Sequence, residues 1–185
     1  MLRPWPHDPS ARLVVFVDHL TIPTETDLSA AAAAARADGA ALLRTSALFP
    51  TAGDVVLGAG FTVIDTLALL KLVLDDDVDR TIEARFGAAR PRTHPLRRRH
   101  HQRAAAIDAA AFGSMWGNDA ASLRDICAAT PVHRARCTRQ RRRMTGFAVS
   151  GAAGDTGYIQ RLAVDPEHHR QGAARALVVD ALLWM

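Results

Sequence analysis

The sequence predicts an α/β protein, and three stretches carry that prediction. Thr156 to Met185, the final thirty residues, read as a strand, a short turn, a basic glycine-containing loop and the start of a helix. Two helical stretches and a strand hairpin lie ahead of them, between Gln102 and Gly151. Met1 to Arg80 alternates strand-like and helix-like runs of its own.

Along the chain, Leu13 to Asp18 (LVVFVD) is β-branched and apolar and reads as a strand. Asp27 to Asp38 (DLSAAAAAARAD) is alanine-rich, with an aspartate to cap its start and Gly39 beyond its end, and reads as a helix. Ala41 to Ala47 is a further strand and Thr51 to Gly58 a short helix. Phe61 to Leu74 (FTVIDTLALLKLVL) reads as a long apolar strand. Asp75-Asp76-Asp77 and the Pro/Arg-rich stretch Gly87 to Pro95 then mark a boundary. The expected organisation is a unit over residues 1–80, a linker over 81–95 and a second unit over 96–185.

In the second unit Leu96 to Arg99 reads as a short first strand. Gln102 to Phe112 (QRAAAIDAAAF) is a helix ended by Gly113. Ser122 is the expected N-cap of a helix that runs to Ala129 and stops before Pro131. Val132 to Thr138 and Gly146 to Gly151 form a hairpin whose turn holds Gln140 and the arginines around it. Tyr158 to Val164 follows as a strand, bounded by Gly157 and Pro166. Ala176, Leu177, Val179, Ala181, Leu182 and Leu183 give a final helix that is apolar on most faces.

The junction of that strand and helix builds an anion site. Backbone N–H groups of the loop point one way and the helix N-terminus adds its positive end. Gly172 removes a side chain where a ligand must approach the backbone. Ala173 and Ala174 keep the first turn small, and Arg170 and Arg175 add positive charge. A phosphate or pyrophosphate is the natural guest; the alternative is an ordinary strand–turn–helix in which Gly172 relieves a tight turn.

The run LAVDPEHHRQGAARALV resembles the acetyl-CoA-binding motif of the GNAT superfamily of N-acetyltransferases. The family pattern is Gln/Arg-x-x-Gly-x-Gly/Ala after a strand that ends in an apolar triplet and an acidic-Pro turn. Leu162-Ala163-Val164 matches the triplet, Asp165-Pro166 the turn, and Gly172 and Ala174 the two small positions. His169 stands where the family has Gln or Arg, a departure that touches one side chain more than the loop. The order helix, helix, hairpin, strand, phosphate loop, helix is similar to the first two-thirds of that fold, over about Leu96 to Met185, and AIDAAAF is similar to a run often found in its first helix.

The resemblance implies a mixed, mostly antiparallel sheet flanked by helices, with acetyl-CoA as cosubstrate. It assigns acetyl-CoA binding to Leu162, Ala163, Val164, His169, Arg170, Gln171, Gly172, Ala173, Ala174 and Arg175. A complete member continues past its motif helix, whereas Trp184 and Met185 still lie inside it, so the chain is expected to be truncated. Residues 12–74 resemble the second half of such a domain, with Ala59-Gly60-Phe61 as the junction before a final strand. Leu20 to Thr26 (LTIPTET) has neither glycine nor a basic residue, so residues 1–80 are expected to form a degenerate half-domain without a phosphate loop, or else a generic α/β segment.

In this superfamily an amine attacks the acetyl thioester directly, so a base, a carbonyl polariser and a route for the leaving thiolate are needed. Backbone N–H near Leu162 to Val164 is the expected polariser. Many members place a glutamate earlier in the strand; here Tyr158 and Gln160 share a face by strand alternation and are the catalytic candidates, through an ordered water. A structural, hydrogen-bonded tyrosine is the alternative. Asp165 and Glu167 read as solvated or capping residues, and His168 and His169 as surface residues, so no metal is expected. The acceptor is expected to be a primary amine, on a protein N-terminus or a small metabolite. Trp116 either lines the acceptor side or packs.

Composition bounds these readings. The chain has 185 residues, 49% of them apolar, enough for one good core. Only Lys71 among 23 basic residues is lysine, and with the abundant alanine this points to a GC-rich, actinobacterial type of genome. No basic segment followed by an apolar stretch and cleavage site opens the chain, and Phe61 to Leu74 is too short to span a bilayer, so a cytoplasmic location is expected. Cys127 and Cys137 lack metal-ligand spacing and read as free thiols. Met1 to Arg80 holds six basic and eleven acidic residues, net −5, and Thr81 to Met185 seventeen and eight, net +9. Arg97, Arg98, Arg99 and Arg103, with Arg134, Arg136, Arg139 and Arg141 to Arg143, offer a nucleic-acid surface, but no aromatic residues interleave with them. A solvated turn, or a patch that steers anionic CoA, is the preferred reading.

Overall fold

Strand pairing divides the chain into two parts. The computed structural model describes residues 1–5, 8–16, 22–74, 77–87 and 92–185. It places a three-stranded sheet in a unit over Met1–Leu72 and a four-stranded sheet in a unit over Val73–Met185. The fold is α/β, with predominantly antiparallel sheets flanked by helices, as the sequence predicts.

In the first unit β1 (Leu2–Trp5) pairs antiparallel with β2 (Asp8–Val14), and β2 pairs parallel with β3 (Leu42–Thr45). Helix α1 (Glu25–Ala37) supplies the crossover that a parallel pair requires. Thr24 caps α1: its hydroxyl accepts from the Asp27 N–H at 3.2 Å, while the Asp27 carboxylate accepts from the Thr24 N–H at 2.9 Å. The helix thus begins two residues before the expected start at Asp27, which instead closes a capping box as the third helical residue. Leu28 and Ala35 turn inward from α1, and Ala11 and Val14 from β2. β2 begins five residues before the expected strand at Leu13, because pairing with β1 sets its register, Leu2 opposite Val14. The remainder of that expected strand, Val17 and Asp18, lies outside the described residues, as do Leu20 and Thr21 of the loop expected to lack a phosphate site. A 3-10 turn at Pro50–Ala52 runs into α2 (Gly53–Gly58), close to the short helix predicted there.

One expected element does not form. Phe61 to Leu74 belongs to no helix or strand, and most of its apolar side chains are exposed, Leu70 at 89%. A strand needs a partner for its N–H and C=O groups, and among the described residues no strand pairs with this run.

In the second unit α3 (Val78–Phe86) occupies residues expected to belong partly to a linker; Ala88 to Pro91 lie outside the described residues. β4 is only His94–Pro95, not Leu96 to Arg99. The three exposed arginines instead start a 3-10 turn, Arg98–His100, while Leu96 is buried and its N–H donates to the Ala135 carbonyl. α4 (His101–Trp116) is interrupted at Gly113, whose φ of 73° breaks the helix at the predicted place. α5 (Ala120–Ala128) is capped by Asp119, whose carboxylate accepts from the Ser122 N–H at 2.7 Å; the predicted cap Ser122 sits inside the first turn. β5 (Val132–Gln140), β6 (Arg143–Ala153) and β7 (Thr156–Val164) form a meander, in the order β4-β5-β6-β7. A 3-10 turn, Pro166–His168, leads to α6 (Ala173–Leu182). Ala104, Ile107, Leu123, Cys137, Phe147, Val149 and Ala163 make the core between α4, α5 and the sheet.

Candidate functional site

β7 is the last strand of its sheet, so alternate residues present their N–H and C=O groups away from β6. Its C-terminal end is well held: Leu162 lies opposite Ala148, Ala163 opposite Phe147, and Val164 opposite Gly146. Ala163 and Val164 are buried, Leu162 half-buried. The Asp165 N–H continues the pairing by donating to the Thr145 carbonyl at 2.9 Å.

The loop that follows is left-handed at two positions. Arg170 has φ of 58° and Gly172 has φ of 81°, both left-handed. Gly172 is the N-cap of α6 and supplies no side-chain oxygen to its first N–H groups. Those donors sit under Ala173 and Ala174, with His169, Arg170, Gln171, Gly172, Ala174 and Arg175 exposed around them. A Cβ built on Gly172 would meet nothing within 4 Å, so the glycine is needed for its backbone conformation, not for internal room. Uncapped helix donors, a left-handed loop and nearby guanidinium groups together favour an anion of phosphate type.

His169 does not reach toward that position. Its Nε2–H donates to the Val164 carbonyl at 3.0 Å, which ties the loop back to the end of β7. This role suits a histidine in a place where the resemblance led to Gln or Arg: it fixes the loop. Asp165 is not solvated. It is buried, accepts from the Glu167 N–H at 3.2 Å and pairs with Arg103 of α4 at 2.5 Å. Asp165, Glu167 and His168 offer ligand atoms within 4.8 Å of one another. Arg103 already supplies positive charge to the group, and the cluster is a capped turn.

Tyr158 and Gln160 both address Gly151 of β6. Tyr158 lies directly opposite it and is exposed. Gln160 is the extra residue of a β-bulge, since Val149 pairs with Arg161 and Ser150 with Ile159. The Gln160 Oε1 is buried and has no hydrogen-bond partner. It would lie 2.8 Å from a Cβ at Gly151.

Three charged residues escaped the sequence reading and organise the site's support. Arg161, next to the bulge, donates from Nε and Nη2 to the two carboxylate oxygens of Asp108, both at 2.7 Å, and from Nη2 to the Trp116 carbonyl at 2.7 Å. Its guanidinium lies 3.6 Å over the Phe112 ring. Asp108, fully buried, also accepts from the Asn118 N–H at 2.6 Å. Asp180 of α6 is buried and accepts from Thr93 Oγ1 at 2.5 Å and Arg134 Nε at 2.7 Å, with Arg136 at 3.4 Å. Burial raises the Asp180 pKa, but the hydrogen bonds from Arg134 and Thr93 and the charges of Arg136 and Arg134 outweigh it, so the net direction is downward. The available signal was a lone charge inside an otherwise apolar element: Asp108 in AIDAAAF, Arg161 in YIQRLAV, Asp180 in ALVVDALL.

With this geometry in view, the C-terminal segment can be set beside known proteins. Residues 116–185 match the model of the Acetyltransferase (GNAT) family. The matched segment contains α5, the three long strands and the loop into α6. No curated protein matches the chain. Among solved structures, the ribosomal-protein-S18-alanine N-acetyltransferase from Escherichia coli is similar at 22% identity, over 46% of this chain and 53% of that one, with a TM-score of 0.41. The chain therefore spans about half the length of that enzyme.

Proposed function

We propose that the C-terminal unit binds acetyl-CoA and transfers its acetyl group to a primary amine by direct attack. The observation that carries this reading is the left-handed Arg170–Gly172 loop opening onto the uncapped N-terminus of α6, inside a GNAT-family segment. The pyrophosphate lies on the N–H groups of Gly172 to Arg175, with Arg170 and Gln171 beside it. The pantetheine arm runs along the free edge of β7 at Leu162 to Val164, where an outward N–H polarises the thioester carbonyl. The amine loses its proton through a water held by Tyr158 and Gln160; the Gln160 Oε1, buried without a partner, supplies a ready acceptor. The acceptor belongs to a small metabolite or a protein N-terminus. Residues 1–80 act as a half-domain without a donor site of their own.

A second reading is a non-catalytic acyl-CoA-binding module. It is favoured by β7 itself, which carries no carboxylate from Thr156 to Val164, while Asp165 is held by Arg103. A nucleic-acid surface is disfavoured because Arg103, Arg134 and Arg136 of the suspected cluster are paired internally.

Calorimetric titration of the chain with acetyl-CoA tests the site, with Gly172→Glu as the matched variant. The parent is expected to bind and the variant to lose at least ten-fold in affinity, since a carboxylate displaces the pyrophosphate charge and an L-residue at φ of 81° is strained. Equal binding by both would remove the loop from the proposal. Binding without acetyl transfer to any amine in a panel would select the second reading.

A further inference from the structure

The run Thr62 to Leu74 (TVIDTLALLKLVL) is the largest apolar feature left uncovered among the described residues. Leu69, Leu70 and Val73 are 83%, 89% and 76% exposed, and Val63, Leu67 and Leu72 are exposed beside them. The run belongs to no strand, although its β-branched and aliphatic content favours one. A long apolar segment outside any strand ladder is a template for pairing with another chain. We propose that this segment is a dimerisation strand, and that it pairs antiparallel with the same segment of a second copy about a two-fold axis through Ala68.

The two charges in the run select both the occupant and the register. Asp65 lies three residues before Ala68 and Lys71 three residues after it. In an antiparallel pair centred on Ala68, Asp65 of each copy stands directly opposite Lys71 of the other, on the same face. Val63 then faces Val73, Ile64 faces Leu72 and Leu67 faces Leu69. The interface is isologous, as a closed dimer requires. Parallel in-register pairing would set Asp65 beside Asp65 and Lys71 beside Lys71. Antiparallel registers centred on Asp65 or on Lys71 set that charge against its own copy, and within the run every other shift off Ala68 sets the charges against uncharged side chains. The sequence is thus self-complementary in one register. A lone two-stranded ribbon is marginal in water, so association is expected in about the micromolar range.

Sedimentation of the full chain measures the oligomer, and charge reversal measures the register. Asp65→Lys and Lys71→Asp are expected each to weaken the dimer roughly ten-fold or more, because two opposed pairs become like-charged in each case. The double variant Asp65→Lys/Lys71→Asp is expected to restore parental affinity, and an equimolar mixture of the two single variants to form heterodimers. Ala68→Cys is expected to cross-link to itself under mild oxidation, and Thr62→Cys, opposite Leu74, is not. All these positions are exposed or lie in an unpaired run, so folding of each variant is checked directly by circular dichroism. A chain that stays monomeric at tens of micromolar overturns the proposal, as it would if the segment paired within its own chain. A dimer indifferent to the charge reversals, or one that does not cross-link through Ala68→Cys, overturns it equally.

Discussion

Asp108 shows how much of this molecule rests on single side chains. A carboxylate with no exposed surface is tolerated because Arg161 meets both its oxygens at 2.7 Å and the Asn118 N–H adds a third bond. Removing one partner of such a pair strands the other charge, at a cost of about 3–5 kcal/mol. Asp108→Asn is therefore expected to lower the unfolding free energy by that amount, read from urea denaturation followed by circular dichroism. The paired replacement Asp108→Leu/Arg161→Met is expected to recover much of the loss, since apolar substitution removes both desolvation penalties. A small effect of Asp108→Asn, under about 1 kcal/mol, would show that the bond network does not hold α4 to β7. Gly172 was legible in the sequence because glycine has few reasons to sit between a basic loop and a helix. The Asp108–Arg161 pair was not: the two residues lie 53 positions apart, and only the fold brings them together.

At the scale of elements, the long strands were legible from composition and their ends were not. β7 extends two residues further toward its N-terminus than Tyr158, and β5 and β6 continue past their apolar residues into the arginine-rich tip. Pairing with a neighbour, not apolar content, sets where a strand stops. The tip is a two-residue turn, Arg141-Arg142, with φ of 46° and 69°. Left-handed backbone at both positions is the geometry that Asn-Gly favours, and arginine tolerates it at a cost of roughly 1 kcal/mol per residue. Arg141→Asn/Arg142→Gly is expected to raise stability by about 1 kcal/mol in thermal or urea unfolding. A decrease would mean that these guanidinium groups make stabilising contacts that outweigh backbone strain. Helix ends mislead for a related reason: Asp119 and Ser122 are both good caps by type, and only the local geometry selects Asp119. Phe61 to Leu74 failed in another way. Its pattern is that of a strand, but a strand is a property of two segments, and the partner is missing among the described residues.

At the scale of the whole molecule, charge is distributed by structural unit. Met1–Leu72 holds five basic and seven acidic residues, net −2, and Val73–Met185 eighteen and twelve, net +6. The division thus falls before the acidic run Asp75 to Asp77, not after Arg80 as the sequence predicts. Stability of that unit depends on how its few carboxylates meet its many guanidinium groups. Asp180 joins α6 to β5 and to Thr93 beside β4, so it fastens the helix that follows the Arg170–Gly172 loop to those two strands. Its folded-state pKa lies below the ordinary value of 3.8, through Arg134, Thr93 and Arg136 acting against burial. A depressed carboxylate contributes stability that is present above its unfolded pKa and lost as pH falls through the folded one. Asp180→Asn is therefore expected to be less stable than the parent at pH 7, by an amount that stays constant down to about pH 5 and shrinks below the ordinary carboxylate value. Urea midpoints of both proteins at four pH values between 7 and 3 measure that difference, and taking the difference cancels the other carboxylates to first order. A gap that stays the same at pH 3 would mean that the charge on Asp180 contributes nothing and that its hydrogen-bond geometry alone holds α6 in place.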